Sequence, residues 1–241
     1  MPIGIDHIVI AVRDLDETSR DYTEAGFTVV PGGEHHSGTS HNALVAFQDG
    51  TYFELIAFKD PRDPDTGPWA ASLRESGEGL VDFALRTQNL DEEVEQLTAA
   101  GLTVFGPTPG GRVRPDGQRI DWRTIRFSEA SLPFYCHDLT ERSLRVPGGE
   151  QAVHANGVSG VANIAIPVGS VEAGAGMYRK LTGLDGNDIP GGKRFAVGIQ
   201  AIDLVVGPGE RPLEVILISP SGTGDALPIK LTHGARLVVG G

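Results

Sequence analysis

His7 stands in the middle of one apolar run, Ile5 to Val12, and Glu54 in the middle of another, YFELIAF. Both runs are rich in β-branched and aromatic residues and short enough to be strands. Side chains alternate along a strand, so His7 is expected on the face of Ile5 and Val9, with Ile8 and Ile10 on the other. Glu54 likewise falls with Tyr52 and Ile56, opposite Phe53 and Leu55. A carboxylate in such a run requires a partner, because a lone buried one takes up a proton rather than stay charged. An imidazole and a carboxylate brought together can pass a proton, so His7 and Glu54 are the candidate catalytic pair.

Other chemistry lies in two glycine-bearing stretches. His35, His36 and His41 crowd a segment that ends beside Asn42, interleaved with glycine, serine and threonine. That composition makes a flexible loop rather than a rigid metal cage; it reads as small-molecule contact through His35, His41 and Asn42, or as a polar exposed loop. Arg112, Arg114 and Arg123 concentrate positive charge around a turn at Asp116 and Gly117, near Trp122. Guanidinium forks bind carboxylate or phosphate, which suggests an anionic or oxygen-rich metabolite; the alternative is exposed ion pairing to Asp121 or Glu129, with Trp122 in the core. Cys136 in LPFYC reads as a buried, inert thiol. The sequence contains no GxSxG, HExxH, phosphate-binding GxxxxGK[ST] or helix-opening GxGxxG.

The elements that must position these groups are written in duplicate. DLDETSRDYTEAGFTVV, Asp14 to Val30, recurs without a gap seventy-five residues later as NLDEEVEQLTAAGLTVF. The first copy reads as strand 5–12, helix 15–25 with Asp14 as N-cap, strand 27–30, a Gly-rich loop 31–40, and strands 41–47 and 52–58. The second reads as strand 80–87, helix 90–100, and strands 102–105, 118–127 and 132–137, after an exposed connection over 59–78. VANIAIPVGSV, Val161 to Val171, repeats the opening once more, followed by a helix to Thr182 and strands over 193–206 and 213–219. The expected fold class is α+β: βαβββ units, two of them (3–58 and 79–138) paired around a cleft within 1–140, then a linker 141–157 and a third, degenerate unit over 158–241.

Composition sets bounds. A net charge of -12 and a pI near 4.9 disfavour nucleic acid, and no apolar run reaches the roughly 20 residues of a membrane span. A single cysteine and the absence of a signal-peptide pattern make the cytoplasm the expected location.

IDHIVIAVRDLD, GGEHHSGTSHNAL and YFELIAF, with ALRTQNLD, RVRPDGQRIDWR and LPFYCHD in the second copy, resemble the vicinal oxygen chelate superfamily and, within it, the glyoxalase-like domain proteins. That resemblance implies two units curving around a shared cleft, with divalent-metal ligands on the first and fourth strands of each. Carried over residue by residue, the ligands are His7 and Glu54, then Asp82 and either Tyr135 or His137; the set His7, Glu54, Asp82 and His137 would suit Zn, Mn, Fe or Ni. The resemblance also singles out His35 and Asn42, while Asn163, at the matching place in the third copy, is a poor ligand. Two functions remain open. One is a lyase, isomerase or dioxygenase-like enzyme whose metal stabilises an oxyanion; the other is a metal-free binding or resistance protein. The unpaired third unit is expected either to pack on the first two or to form a homodimer with a second chain.

Overall fold

A computed structural model describes every residue except 64, 65, 210, 223 and 241. The first unit runs β1 (Gly4–Ala11), α1 (Leu15–Glu24), β2 (Val30–His35), β3 (Ser40–Ala46) and β4 (Tyr52–Phe58). Asp14 caps α1 by accepting from the Glu17 amide, and β4 lies parallel to β1. A helix α2 (Pro68–Ser76) precedes the second unit, β5 (Gly79–Arg86), α3 (Leu90–Ala99), β6 (Val104–Val113), β7 (Arg119–Phe127) and β8 (Phe134–Asp138). The eight strands close into a barrel in the order β1-β4-β3-β2-β6-β7-β8-β5.

Closure depends on the stretches that read as loops. Pro31 to His35 belongs to β2 and Gly106 to Val113 to β6, and these two strands seal the barrel by pairing Glu34 with Val113 and His35 with Arg112. Their glycines are there for close approach. A Cβ on Gly33, whose φ is +124°, would lie 2.1 Å from the Val113 carbonyl oxygen, and one on Gly32 would lie 2.0 Å from Asn42 Oδ1. Composition alone points to a turn, whereas the backbone uses the missing side chains to bring strands together.

After the barrel, a short helix α4 (Arg142–Arg145) occupies what reads as linker, and Arg145 is buried. The third unit follows: β9 (Gly160–Val168), α5 (Val171–Thr182), β10 (Asn187–Ile189), β11 (Gly192–Val197) and β12 (Gln200–Val206), with β12 parallel to β9 as β4 is to β1. It is complete without the strand near 213–219. That strand, β13 (Glu214–Ile218), runs antiparallel to β9 as β5 does to β1, and β14 (Leu237–Gly240) runs parallel to β13 as β8 does to β5. The second sheet, β10-β11-β12-β9-β13-β14, thus reproduces six of the eight barrel positions and stays open. By these pairings β13 and β14 take the places of the first and last strands of a further unit rather than ending the third.

One apolar core joins the barrel's outer face to the second sheet. Ile8, Ile10, Phe53 and Leu85 from barrel strands share it with Ile164, Tyr178, Phe195 and Leu237. Hydrogen bonds cross it from Tyr22 to the Thr232 carbonyl, from Tyr135 to that of Leu181, and from Tyr178 to that of Ser131. The third unit therefore packs on the first two within the same chain. Among the described residues, no helix is long and apolar enough to cross a membrane.

The close approach at Gly33 makes a sharp prediction. Gly33→Ala must both strain a left-handed backbone position and push β6 away, costing about 2 kcal/mol or more. Urea denaturation should show the unfolding free energy lowered by that amount, while Gly117→Ala, which meets nothing within 4 Å, should cost only the backbone part.

Candidate functional site

The barrel encloses a cavity of about 270 Å³. Its walls come from alternate residues of the strands: Ile56, Phe58, Phe134 and Cys136 are buried, with Trp69 and Trp122 packed against them. His7, His35, Asn42 and Glu54 supply a polar cluster in the same wall.

Alternation along β1 breaks once, at a place that matters. Ile5 does not share the cavity face of His7 and Val9; it lies in the outer core with Ile8 and Ile10. A register shift between Ile5 and His7 in the β1–β5 ladder inserts Asp6 as an extra residue. Asp6 is fully buried, and its Oδ1 lies 2.7 Å from His7 Nδ1. Arg145, 3% exposed, reaches Asp6 with two bonds of 3.0 Å and also donates to Asp138 and to the Tyr52 hydroxyl. Arg142 adds a 2.5 Å bond to Asp6 and one of 2.7 Å to the Gly50 carbonyl. Burial alone would push the Asp6 carboxyl up, but Arg145, the His7 hydrogen bond and Arg142 outweigh it and hold the pKa well below the ordinary range.

With Nδ1 held by Asp6, His7 presents Nε2 to Glu54 Oε2 at 3.5 Å, and its ring stacks on Tyr52 with centroids 4.7 Å apart. Glu54 Oε1 lies 3.2 Å from His35 Nε2 and accepts from Asn42 Nδ2 at 2.7 Å. His35 is fixed in turn by a 2.9 Å contact between Nδ1 and Ser40 Oγ. Burial raises the Glu54 pKa, yet the His35 hydrogen bond, the charges of His35 and His7 and the Asn42 amide reverse this and set it at about 2. The cavity therefore holds a buried, ionised carboxylate between two imidazoles.

The remaining residues singled out by sequence divide sharply. Arg112 and Trp122 line the cavity, and Arg112 spends its guanidinium on the carbonyls of Gly32 and Arg145. His41 falls on the opposite side of β3, paired in register with Glu34 and Ala57. Arg114 pairs with Asp116, and Arg123 pairs with Asp91 rather than with Asp121 or Glu129. Residues that sequence reasoning missed include Asp6, Arg145, Trp69 and Arg126. The bulge and the contribution of the short helix α4 leave no periodic signal.

The four-residue ligand set is not assembled. Asp82 accepts from the Trp69 indole at 2.8 Å and from Arg126 at 3.0 Å, and is absent from the cavity wall. His137 lies in a separate cavity with Arg86 and Arg142, and Tyr135 points into the outer core. The repeat explains this. Val9 pairs with Glu54, and its counterpart seventy-five residues on, Ala84, pairs with Phe134, so an aromatic ring stands where the second unit would offer a ligand. Among the described residues, no group of three or more His, Cys, Asp or Glu side chains is arranged to hold a metal ion. The donors therefore do not fit a metal of the kind the resemblance implies. Cys136 is buried and its thiol is pushed up, so it is no nucleophile.

In the third unit the equivalent pair is Asn163 and Asp203, and it is closed off. Asn163 donates to Asp203 at 2.6 Å and Arg194 binds both Asp203 oxygens at 2.6 Å.

Asp6 and Glu54 are both depressed in the folded state, so the unfolded chain binds more protons at low pH. Their stabilisation is fully present above the ordinary carboxylate range and is lost as pH falls below it, for Glu54 toward about 2. Thermal melts should show Tm falling steadily from about pH 5 to about pH 3. Arg145→Ala, which leaves Asp6 buried with one cation fewer, should cost about 3–5 kcal/mol at neutral pH by chemical denaturation.

Residues 5–182 match the family described as "Glyoxalase-like domain". A search of curated proteins gives no match. Among solved structures, a hypothetical protein from Staphylococcus aureus superposes with a TM-score of 0.81 at 16% identity, covering 97% of each chain. A xylose isomerase-like TIM barrel/4-hydroxyphenylpyruvate dioxygenase fusion protein matches with a TM-score of 0.57 at 14% identity, over 90% of this chain and 36% of its own. A methylmalonyl-CoA epimerase from Mycobacterium tuberculosis is 24% identical over 57% of this chain and 87% of its own, with a TM-score of 0.44. At these identities the first two show a shared fold, of barrel and second sheet alike. With repeated βαβββ units closed around a cavity and a family match over most of its length, the chain belongs to the glyoxalase-like domain family of the vicinal oxygen chelate superfamily.

Proposed function

We propose that the barrel cavity binds a small, oxygen-rich metabolite bearing a carboxylate, without a metal ion. The observation that carries this reading is Glu54: an ionised carboxylate, 6% exposed, in an aromatic-walled cavity of small-molecule size. It would accept a hydrogen bond from a ligand hydroxyl. Arg126, paired with Asp82 at 3.0 Å through one terminal nitrogen, supplies the opposite charge through the rest of its guanidinium. Its guanidinium lies 4.5 Å from the Phe134 ring centroid and 4.9 Å from that of Trp69, while 40% of its side chain stays exposed. An anionic end at Arg126, a flat body against Trp69, Trp122 and Phe134, and a polar end at Glu54 describe the ligand class.

A second reading, proton transfer in an isomerase or lyase, has its own support. A carboxylate held at about 2 is a poor base, but what holds it there is chiefly the contact with His35, then the charge of His7 and the Asn42 amide. A ligand that displaces those contacts would leave burial, which raises the pKa, as the dominant influence. Binding would then switch Glu54 into a base, with His7 already oriented by Asp6.

The two tryptophans of the chain, Trp69 and Trp122, both line the cavity, so intrinsic fluorescence reports on it. With phenylpyruvate as probe, saturable quenching is expected, unchanged after chelator dialysis and weakened at least tenfold in Arg126→Gln. Binding lost with the metal, or quenching that does not saturate, would overturn the proposal. The second reading requires deuterium from D2O to enter the probe's C3 faster with wild type than in protein-free buffer, and no faster than in buffer with Glu54→Gln.

The homodimer also stands as a proposal. The second sheet is covered on one face by the barrel, while half-buried Ala165, Ile216 and Val238 occupy the other. Light scattering should give twice 25.5 kDa, and a mass of 25.5 kDa would remove the dimer.

A further inference from the structure

Beyond the barrel cavity, a second cavity of about 410 Å³ is lined by Arg86, Thr87, Gln88, His137, Asp138 and Arg142. Its charge balance is unusual for a chain of net charge -12. Arg142 and Arg145 between them engage both local carboxylates, Asp6 and Asp138. Arg86 joins no ion pair among the described residues, and its Nε is buried without a hydrogen-bond partner. Three guanidiniums thus face two carboxylates, and the surplus one is at Arg86. Burial and the neighbouring Arg142 press the Arg86 pKa below its ordinary value, as expected for a cation lacking its counter-ion.

A half-buried, unpaired guanidinium beside a second one and an imidazole is chemistry suited to an anion. We propose that this cavity is an anion-binding site, taking a small oxyanion, phosphoryl or carboxylate, on the Arg86 guanidinium with Arg142, His137 and Gln88 around it. The site is not isolated. Arg142 also donates to Asp6 at 2.5 Å, and Asp6 lies 2.7 Å from His7 Nδ1. An anion that draws on Arg142 competes with Asp6 for it, and the effect reaches the His7 ring. The anion site does not rest on what the barrel binds, although the shared Arg142 couples the two sites.

Titrating the full chain with inorganic phosphate in chloride buffer, by calorimetry and by amide NMR, tests the site. One saturable binding event is expected, with the largest shifts at the amides of Thr87, Gln88 and His137, and affinity reduced at least tenfold in Arg86→Gln. The wild-type shift pattern stands even if that variant folds poorly. A parallel acetate titration separates the ligand sources: tighter phosphate assigns a phosphoryl group, equal or tighter acetate a carboxylate. No saturable binding of either anion, shifts centred on Ser40 and Asn42, or equal affinity in a folded Arg86→Gln would overturn the site.

Discussion

Asp6 has no contact with water, and its carboxylate is held between two guanidiniums that arrive from a segment more than 130 residues later in the chain. Taking these charges out of water is costly, and the cost is offset only because each oxygen finds a donor. The arrangement does three things at once. It pins helix α4 against the barrel, it absorbs the extra residue that the bulge in β1 inserts, and it fixes the ring of His7 next to Glu54. Without it, the polar cluster in the cavity would be a set of side chains free to turn; with it, the imidazole has one defined orientation.

Duplication then supplies the container and diverges in the contents. Each unit contributes four strands, but only the first retains a histidine and a glutamate facing the interior. In the second, Phe134 takes the place of the glutamate and Asp82 has turned to holding Trp69 and Arg126. In the third, Asn163 and Arg194 silence Asp203. The same backbone thus carries one polar half-site, one aromatic and cationic half-site, and one neutralised copy. A cavity made of two unlike halves is matched to an asymmetric ligand.

Much of this was legible in the residues. The ungapped repeat gave the βαβββ units, since strand alternation and capped helices are local signals; alternation grouped His7 with Val9 and Glu54 with Ile56, and the family resemblance implied that both face one cleft, where they do meet. What failed was long-range. Gly32 and Gly33 read as loop, and Gly110 and Gly111 fell in no strand, because composition does not reveal that a strand needs them for close approach. The bulge that moved Ile5 outward and Asp6 inward cannot be seen in a pattern of period two. His41 and Arg123 carried suitable chemistry on the wrong side of their strands. Arg145 sat in a Gly- and Pro-bearing stretch that looked like linker, and its partners are distant in sequence.

The central claim is that the buried Asp6 carboxylate sets the orientation of His7. Nitrogen-15 NMR of the His7 ring measures it most directly. The account predicts that Nδ1 carries a proton, held toward Asp6, at neutral pH; an unprotonated Nδ1, with the proton on Nε2 alone, would contradict it.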